Sequence, residues 1–78
     1  MWVVQSPKKL QCQLGDTFRA ERVARNLSQE ELAEAAGLSR NYYGSVERGE
    51  KMPSAMTVVQ IAAALKISAA TLFERAKL

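Results

Sequence analysis

Histidine is absent from the 78 residues. With it goes the commonest general acid–base group in enzymes. Cysteine occurs once, as Cys12. One thiol forms no disulfide within a chain, and without histidine beside it no zinc ligand set can be assembled. Cys12 therefore reads as a bystander, with intermolecular pairing as a redox switch the alternative. A Gly-rich phosphate loop, an H-E-x-x-H helix and a G-x-S-x-G elbow are all missing. No catalytic residue, metal or cofactor is expected. Aromatic residues make up only 6% of the chain, so its core must be built mainly from Leu, Ile, Val and Ala. No apolar run reaches the roughly 18 residues that suggest a membrane span. Trp2-Val3-Val4 is too short for a signal-peptide core and carries no cleavage pattern. A cytoplasmic, reducing setting is the expectation.

What remains is enough to fold. Hydrophobic residues at 47% argue against disorder, and the length allows one domain with a small core. A net charge of +3 is compatible with nucleic acid without proving it.

The most informative stretch runs from Ser28 to Gly49. Ser28 and Glu31 form an S-x-x-E box, in which serine caps a helix and glutamate reaches back to the cap. Leu32, Ala33 and Ala36 then share a helical face. Gly37 stops that helix, since glycine tolerates left-handed backbone. Leu38 is placed to fold back onto the apolar face. Ser39 caps a second helix that ends at Gly49. Two short helices about a glycine turn make a helix-turn-helix signature.

Leu27 to Gly49, followed by Pro53-Ser54, resembles the Cro/C1-type (Xre) family of helix-turn-helix regulators. The combination of LSQEELAEAAGLS, VERG and a downstream PS carries the resemblance. It extends from Leu14 to about Phe73, about three quarters of the chain. It implies an all-α fold, a compact five-helix Cro/C1-type DNA-binding domain over residues 14–78, preceded by an N-terminal leader or arm over 1–13. In that leader, Ser6-Pro7 should break regular structure. Trp2, Val3 and Val4 form either a frayed end or an arm that packs on the domain or on a second subunit.

Helix 1 should run from about Gly15 to Arg25. Leu14, Phe18 and Arg22 share a stripe, so Arg22 is drawn inward and its head needs an acid. Glu21 stands where the family more often has Leu or Ala. It should lean outward and pair with Arg25. Asn26 replaces the usual glycine at the helix end. Helix 2 covers about Gln29 to Ala36, and helix 3 about Arg40 to Arg48. Tyr43, Val46 and Glu47 should face the bundle. The family pairs an arginine and a glutamate at matching positions, which implies a structural ion pair of Arg22 with Glu47. Ser54 can cap helix 4, about Ala55 to Leu65, with Val58, Ile61, Ala62 and Leu65 as its apolar stripe. Lys66 stands at a turn where the family has glycine, and Ile67 then packs inward. Ser68 can cap helix 5, about Ala69 to Lys77, with Ala69, Leu72, Phe73 and Ala76 inward.

The second helix of this motif fits the major groove of B-DNA, N-terminal residues first. The candidate base contacts are Ser39, Arg40 and Asn41, with the small Gly44 and Ser45 one turn on. Arg40 can bond guanine O6 and N7; Asn41 can pair with adenine. Outside this motif both would read as solvated helix-start residues. The candidate phosphate contacts are Ser28 and Gln29 at the start of helix 2, Tyr42, Arg48 and Lys51. Gln29 rests on the family resemblance. Each also has a reading as ordinary polar surface.

Family members bind operators as two-fold dimers. The resemblance thus implies a sequence-specific transcriptional regulator of double-stranded DNA, a homodimer, with RNA polymerase as a further partner and no membrane. Helix 5, Leu78 and the leader are what remains for an interface, with Val59 and Leu72 as candidates. Domains of this size with R-x-Y-x-x-x-x-E-R-G resemble controller proteins of restriction-modification systems. Such a protein could act as activator or repressor. Phage-type repressors and plasmid regulators stay open. The alternative is an antitoxin-like protein-interaction module with secondary DNA binding.

Overall fold

Five serines start five helices. The computed structural model describes residues 6–77. In them lie α1 (Pro7–Ala24), α2 (Gln29–Ala36), α3 (Arg40–Glu47), α4 (Ala55–Ala64) and α5 (Ala69–Arg75). Ser6, Ser28, Ser39, Ser54 and Ser68 precede them in turn. Each hydroxyl accepts the backbone N–H three residues on. A cap of this kind contributes about 1 kcal/mol, a large share of the stability of a helix only two turns long. At Ser28 the box is reciprocal: Glu31 N–H donates to Ser28 Oγ at 3.0 Å, and Ser28 N–H donates to Glu31 Oε1 at 2.8 Å.

The start of α1 corrects the sequence reading. Ser6-Pro7 does not break the chain but opens the helix, with Ser6 as N-cap and Pro7 in the first turn. Proline fits there because its missing N–H has no partner to lose. Residues 7–13 thus belong to the same helix as Leu14 and Phe18, not to a leader. The proposed arm at Trp2, Val3 and Val4, and an interface role for Leu78, lie outside the described residues.

The turns are made as the residue types demand. Gly37 and Gly49 have φ of 74° and 75°. Asn26 and Lys66 adopt φ of 58° and 61°. Asparagine tolerates this region well; lysine does so at some strain.

The helices close on one core. Phe18, Leu32, Tyr43, Val46, Ile61 and Leu72 lose essentially all their exposure there. Burying each such side chain contributes roughly 1.5–3 kcal/mol. α2 lies against α3 and α4, α1 against α3 and α5, and α4 against α5. Two expectations for α5 fail. Leu72 is fully buried, so it offers nothing to an interface, while Phe73 is 39% exposed and stands outside the core. The stripe on this short helix is narrower than its apolar residues, and Leu72 takes the inward position.

Glu21 also departs from the reading. It does pair with Arg25, at 2.8 Å, yet its side chain is mostly buried. Arg75 of α5 meets the same oxygen at 2.6 Å. Glu21 therefore leans inward and ties α1 to α5. Burial pushes its carboxyl up, but the two guanidinium groups outweigh this and hold it below the usual carboxylate range.

Candidate nucleic-acid interface

The position of α3 is set by what holds it from behind. Gly15 of α1 packs against the carbonyl ends of α3. A Cβ at Gly15 would meet Val46 O at 2.8 Å, and Glu47 O as well. No larger residue permits this approach. Further along α1, Lys8 Nζ and Gln11 Nε2 donate to Gly49 O at 3.1 and 3.0 Å. The lengthened α1 thus clasps the C-terminal end of α3.

Arg22 and Glu47 complete the attachment. The guanidinium donates through Nε to Oε2 and through Nη2 to Oε1, both at 2.9 Å. Its Nη1 donates to Leu27 O at 2.8 Å. Burial pushes the Glu47 carboxyl up, but hydrogen bonds from Arg22 and Gln29 hold it below its ordinary value. Arg22 is raised in turn, chiefly by its bonds to Glu47. The Tyr43 hydroxyl is buried beside the pair without a hydrogen-bond partner among the described residues. Burial and the neighbouring Glu47 carboxylate push that phenol far up.

Held this way, α3 turns its first residues outward. Ser39, Arg40 and Asn41 are all exposed. Arg40 takes part in none of the ion pairs among the described residues. Ser39 Oγ is committed to its cap, accepting from Tyr42 N–H at 3.1 Å. Gly44, expected as a base contact one turn on, is buried instead, with the Arg48 guanidinium and the Gln29 amide lying over it. A Cβ there would meet Arg48 Nη1 at 3.0 Å and Gln29 Oε1 at 3.6 Å.

Ser45 does not belong to this face. It is 7% exposed, and its hydroxyl donates to Tyr42 O at 2.7 Å. The loop after α3 folds over it, with Glu50 N–H donating to Ser45 O at 2.9 Å. Its one hydrogen is spent on its own helix, and burial keeps its lone pairs from the amino group of a base.

The candidate phosphate contacts surround α3 but are not all free. Ser28 is exposed, its hydroxyl engaged by Glu31 N–H. Gln29 is half-buried, and its Nε2 donates to Glu47 Oε1 at 3.1 Å. Tyr42 is half-buried, its hydroxyl 3.4 Å from Thr57 Oγ1. Lys51 Nζ stands 5.9 Å from the Tyr42 ring centre, a cation–π distance. Arg48 is exposed and forked onto Glu50, at 2.9 and 3.2 Å.

Sequence reasoning missed a cleft beside them. A polar cavity of about 400 Å³ opens between α1, the start of α2 and the end of α3. Asp16, Arg19, Arg22, Gln29, Glu47 and Arg48 line it. Asp16 and Arg19 sit six and three residues before Arg22 on α1. That spacing was the available signal. Among the described residues no group of His, Cys, Asp or Glu could hold a metal ion. No described helix is by itself long and apolar enough to cross a membrane.

Residues 18–72 match the model of the HTH_3 helix-turn-helix family. The chain belongs to the Cro/C1-type helix-turn-helix family of transcriptional regulators. The match falls inside the stretch where the sequence carries the resemblance. Among relatives in this family, control protein C.SmaI of Serratia marcescens is 45% identical over 62 residues, covering 80% of this chain and 74% of that protein. An HTH-type transcriptional regulator of Mycobacterium tuberculosis is 44% identical over 62 residues. That covers 80% of this chain, which spans only 44% of that regulator's length. Solved structures agree. The restriction-modification controller protein C.AhdI of Aeromonas hydrophila superposes with a TM-score of 0.78 at 41% identity, covering 81% of this chain and 96% of that one. The clp gene regulator ClgR of Corynebacterium glutamicum gives 0.83 at 32% identity, covering 87% and 72%.

Proposed function

We propose that this helix-turn-helix regulator binds operator DNA as a two-fold dimer, with α3 in the major groove. The observation that carries the reading is the outward, unpaired first turn of α3. Arg40 and Asn41 are exposed there, and no ion pair among the described residues holds Arg40 back. These two read base edges, each bidentate contact discriminating by about 1–3 kcal/mol. Ser39, small and exposed, lets the helix approach closely. Ser28, Gln29, Tyr42, Arg48 and Lys51 hold the backbone on either side and set register rather than sequence choice.

One such unit makes few contacts, so a second is needed for tight binding. Met56 and Val59 project from the outer face of α4, 67% and 52% exposed. They support self-association through that face. The match to nearly the whole length of a restriction-modification controller protein supports a controller role. RNA polymerase is then the further partner, and the cytoplasm the setting.

The test is titration of a fluorescent duplex from upstream of the gene at two salt concentrations. Wild type and Arg40→Ala are compared on this duplex and on a scrambled one. Tight binding that falls steeply with salt, with sequence preference lost in the variant, is the expected result. Equal, weak binding of both proteins to both duplexes rejects the reading. Retention of one stoichiometric protein partner without DNA would then favour an interaction module.

A further inference from the structure

We infer that an apolar cavity between the end of α1, the end of α2 and the α4–α5 turn binds a small carboxylic acid with an apolar tail. The cavity measures about 520 Å³ and is lined by Arg25, Leu27, Ala35, Ala64, Leu65 and Lys66. That volume lies in the range of small-molecule sites, roughly 300–1,000 Å³. None of the six residues is among the base or phosphate contacts proposed above. Occupancy of the cavity is therefore independent of the DNA-binding reading.

The lining selects an apolar tail. Leu27, Ala35, Ala64 and Leu65 bring side chains with no polar atom. Two backbone carbonyls that could have made the lining polar already have donors. Arg22 Nη1 donates to Leu27 O at 2.8 Å, and Arg25 Nε donates to Leu65 O at 3.0 Å. Water finds few partners on such walls, whereas an alkyl chain is stabilised by leaving water.

The charges select an anion. Arg25 and Lys66 line the cavity, and among the described residues no Asp or Glu does. Glu21 holds Arg25 but is shared with Arg75, so its one charge does not cancel both guanidinium groups. Arg25 Nη2 has no hydrogen-bond partner among the described residues. Lys66 is exposed and joins none of the ion pairs among them. Its backbone makes the turn, with φ of 61° and its N–H on Ala63 O at 3.0 Å. Glycine would make that turn with less strain. Lysine instead sets a cation beside an apolar cavity. A carboxylate between Arg25 and Lys66, with its tail on Leu27 and Leu65, satisfies both halves of the site. The ligand then bridges α2 and the α4–α5 turn.

The test is an NMR titration of the full chain with octanoate, octanol and octylammonium, each below its micelle concentration. The three probes share one tail and differ in charge. Octanoate should shift the amide signals of Leu27, Ala35 and Ala64 to Lys66, and the shifts should saturate. Octanol should bind at least about fivefold more weakly, and octylammonium more weakly still. Hexanoate should bind about fifteenfold more weakly than octanoate, at about fourfold for each methylene withdrawn from the cavity. Lys66→Asn removes the cation and keeps a residue suited to left-handed backbone. It should weaken octanoate about two- to fivefold without lowering the melting temperature. Ala35→Leu, at an exposed helical position, should fill the cavity and weaken octanoate and octanol alike. Octylammonium binding as tightly as octanoate, or octanoate binding either variant as it binds wild type, overturns the inference. So do shifts that are absent from these amides, that never saturate, or that gather at Met56, Val59 and Phe73 as adventitious tail contacts.

Discussion

One guanidinium joins three parts of the molecule. Arg22 of α1 forks onto Glu47 of α3 at 2.9 Å through two nitrogens, and a third holds Leu27 O at 2.8 Å in the turn before α2. The side chains are 14% and 4% exposed. Neither charge can be left alone in such a place. Glu47→Ala strands Arg22 and should cost roughly 3–5 kcal/mol. Urea denaturation of the variant checks this; a wild-type midpoint would mean that the pair is not a lock.

The same pair fixes the sign of the pH dependence. Glu47 and Glu21 both have folded-state pKa values below the ordinary carboxylate value. The unfolded chain then binds more protons in acid, so stability rises with pH through that range. The contribution is fully present above the unfolded value of about 4.3 and is lost as pH falls below it toward the folded values. Melting temperature should be flat from neutral pH down to about 5, then drop. Glu47→Gln should start lower and fall less steeply. Parallel melting curves from acid to neutral pH distinguish the two slopes.

The sequence disclosed the pair because stripe and family pattern both point to it. The capping serines from Ser28 onward, the glycine turns and the apolar faces of α2 and α4 were equally legible, since each depends on neighbours within one or two turns. What escaped depended on distant partners. Nothing near Pro7 says that Lys8 and Gln11 will find Gly49 O, 41 and 38 residues away. Glu21 faces inward only because Arg75 waits on α5. Ser45 seemed fit for bases because it is small and stands one turn beyond Asn41. The loop that covers it is invisible to helical periodicity. The cleft at Arg19 needs three elements in place before it exists.

Two glycines should respond oppositely to alanine. At Gly15 the added methyl meets backbone carbonyls of α3, which cannot move without parting the helices. Gly15→Ala should destabilise by about 1–3 kcal/mol. At Gly44 it meets the far end of Arg48, a flexible side chain. Gly44→Ala should gain up to about 1 kcal/mol from helix propensity. The same methyl displaces Arg48, a proposed phosphate contact, so DNA affinity should fall while stability rises. Denaturation and duplex titration of both variants give the comparison.

Tyr43 offers a third stability test. Its ring fills the core at 0% exposure, while its hydroxyl finds no partner among the described residues. An unsatisfied buried hydroxyl costs about 1–3 kcal/mol. Tyr43→Phe keeps the ring and removes that cost. The variant should be at least as stable as wild type. A clear loss in a urea melt would show that the hydroxyl does bond Glu47 in solution.

The proposed self-association through α4 can be tested at Val59. Met56 and Val59 lie three residues apart on its outer face, with Met52 41% exposed in the loop before it. Exposed apolar residues are common singly and mean little. Their clustering on one face is what calls for a partner, and a two-fold dimer would apply that face to its own copy. Val59→Glu would then set two carboxylates near the symmetry axis. The dimer should dissociate at least about tenfold more readily, equivalent to 1.4 kcal/mol. Operator affinity should fall with it, because two half-sites are no longer held by one assembly. The monomer fold should be untouched, since Val59 is 52% exposed. Sedimentation velocity across a concentration series reads the association directly. An unchanged dimer would move the interface off α4, with exposed Phe73 on α5 the next position to test.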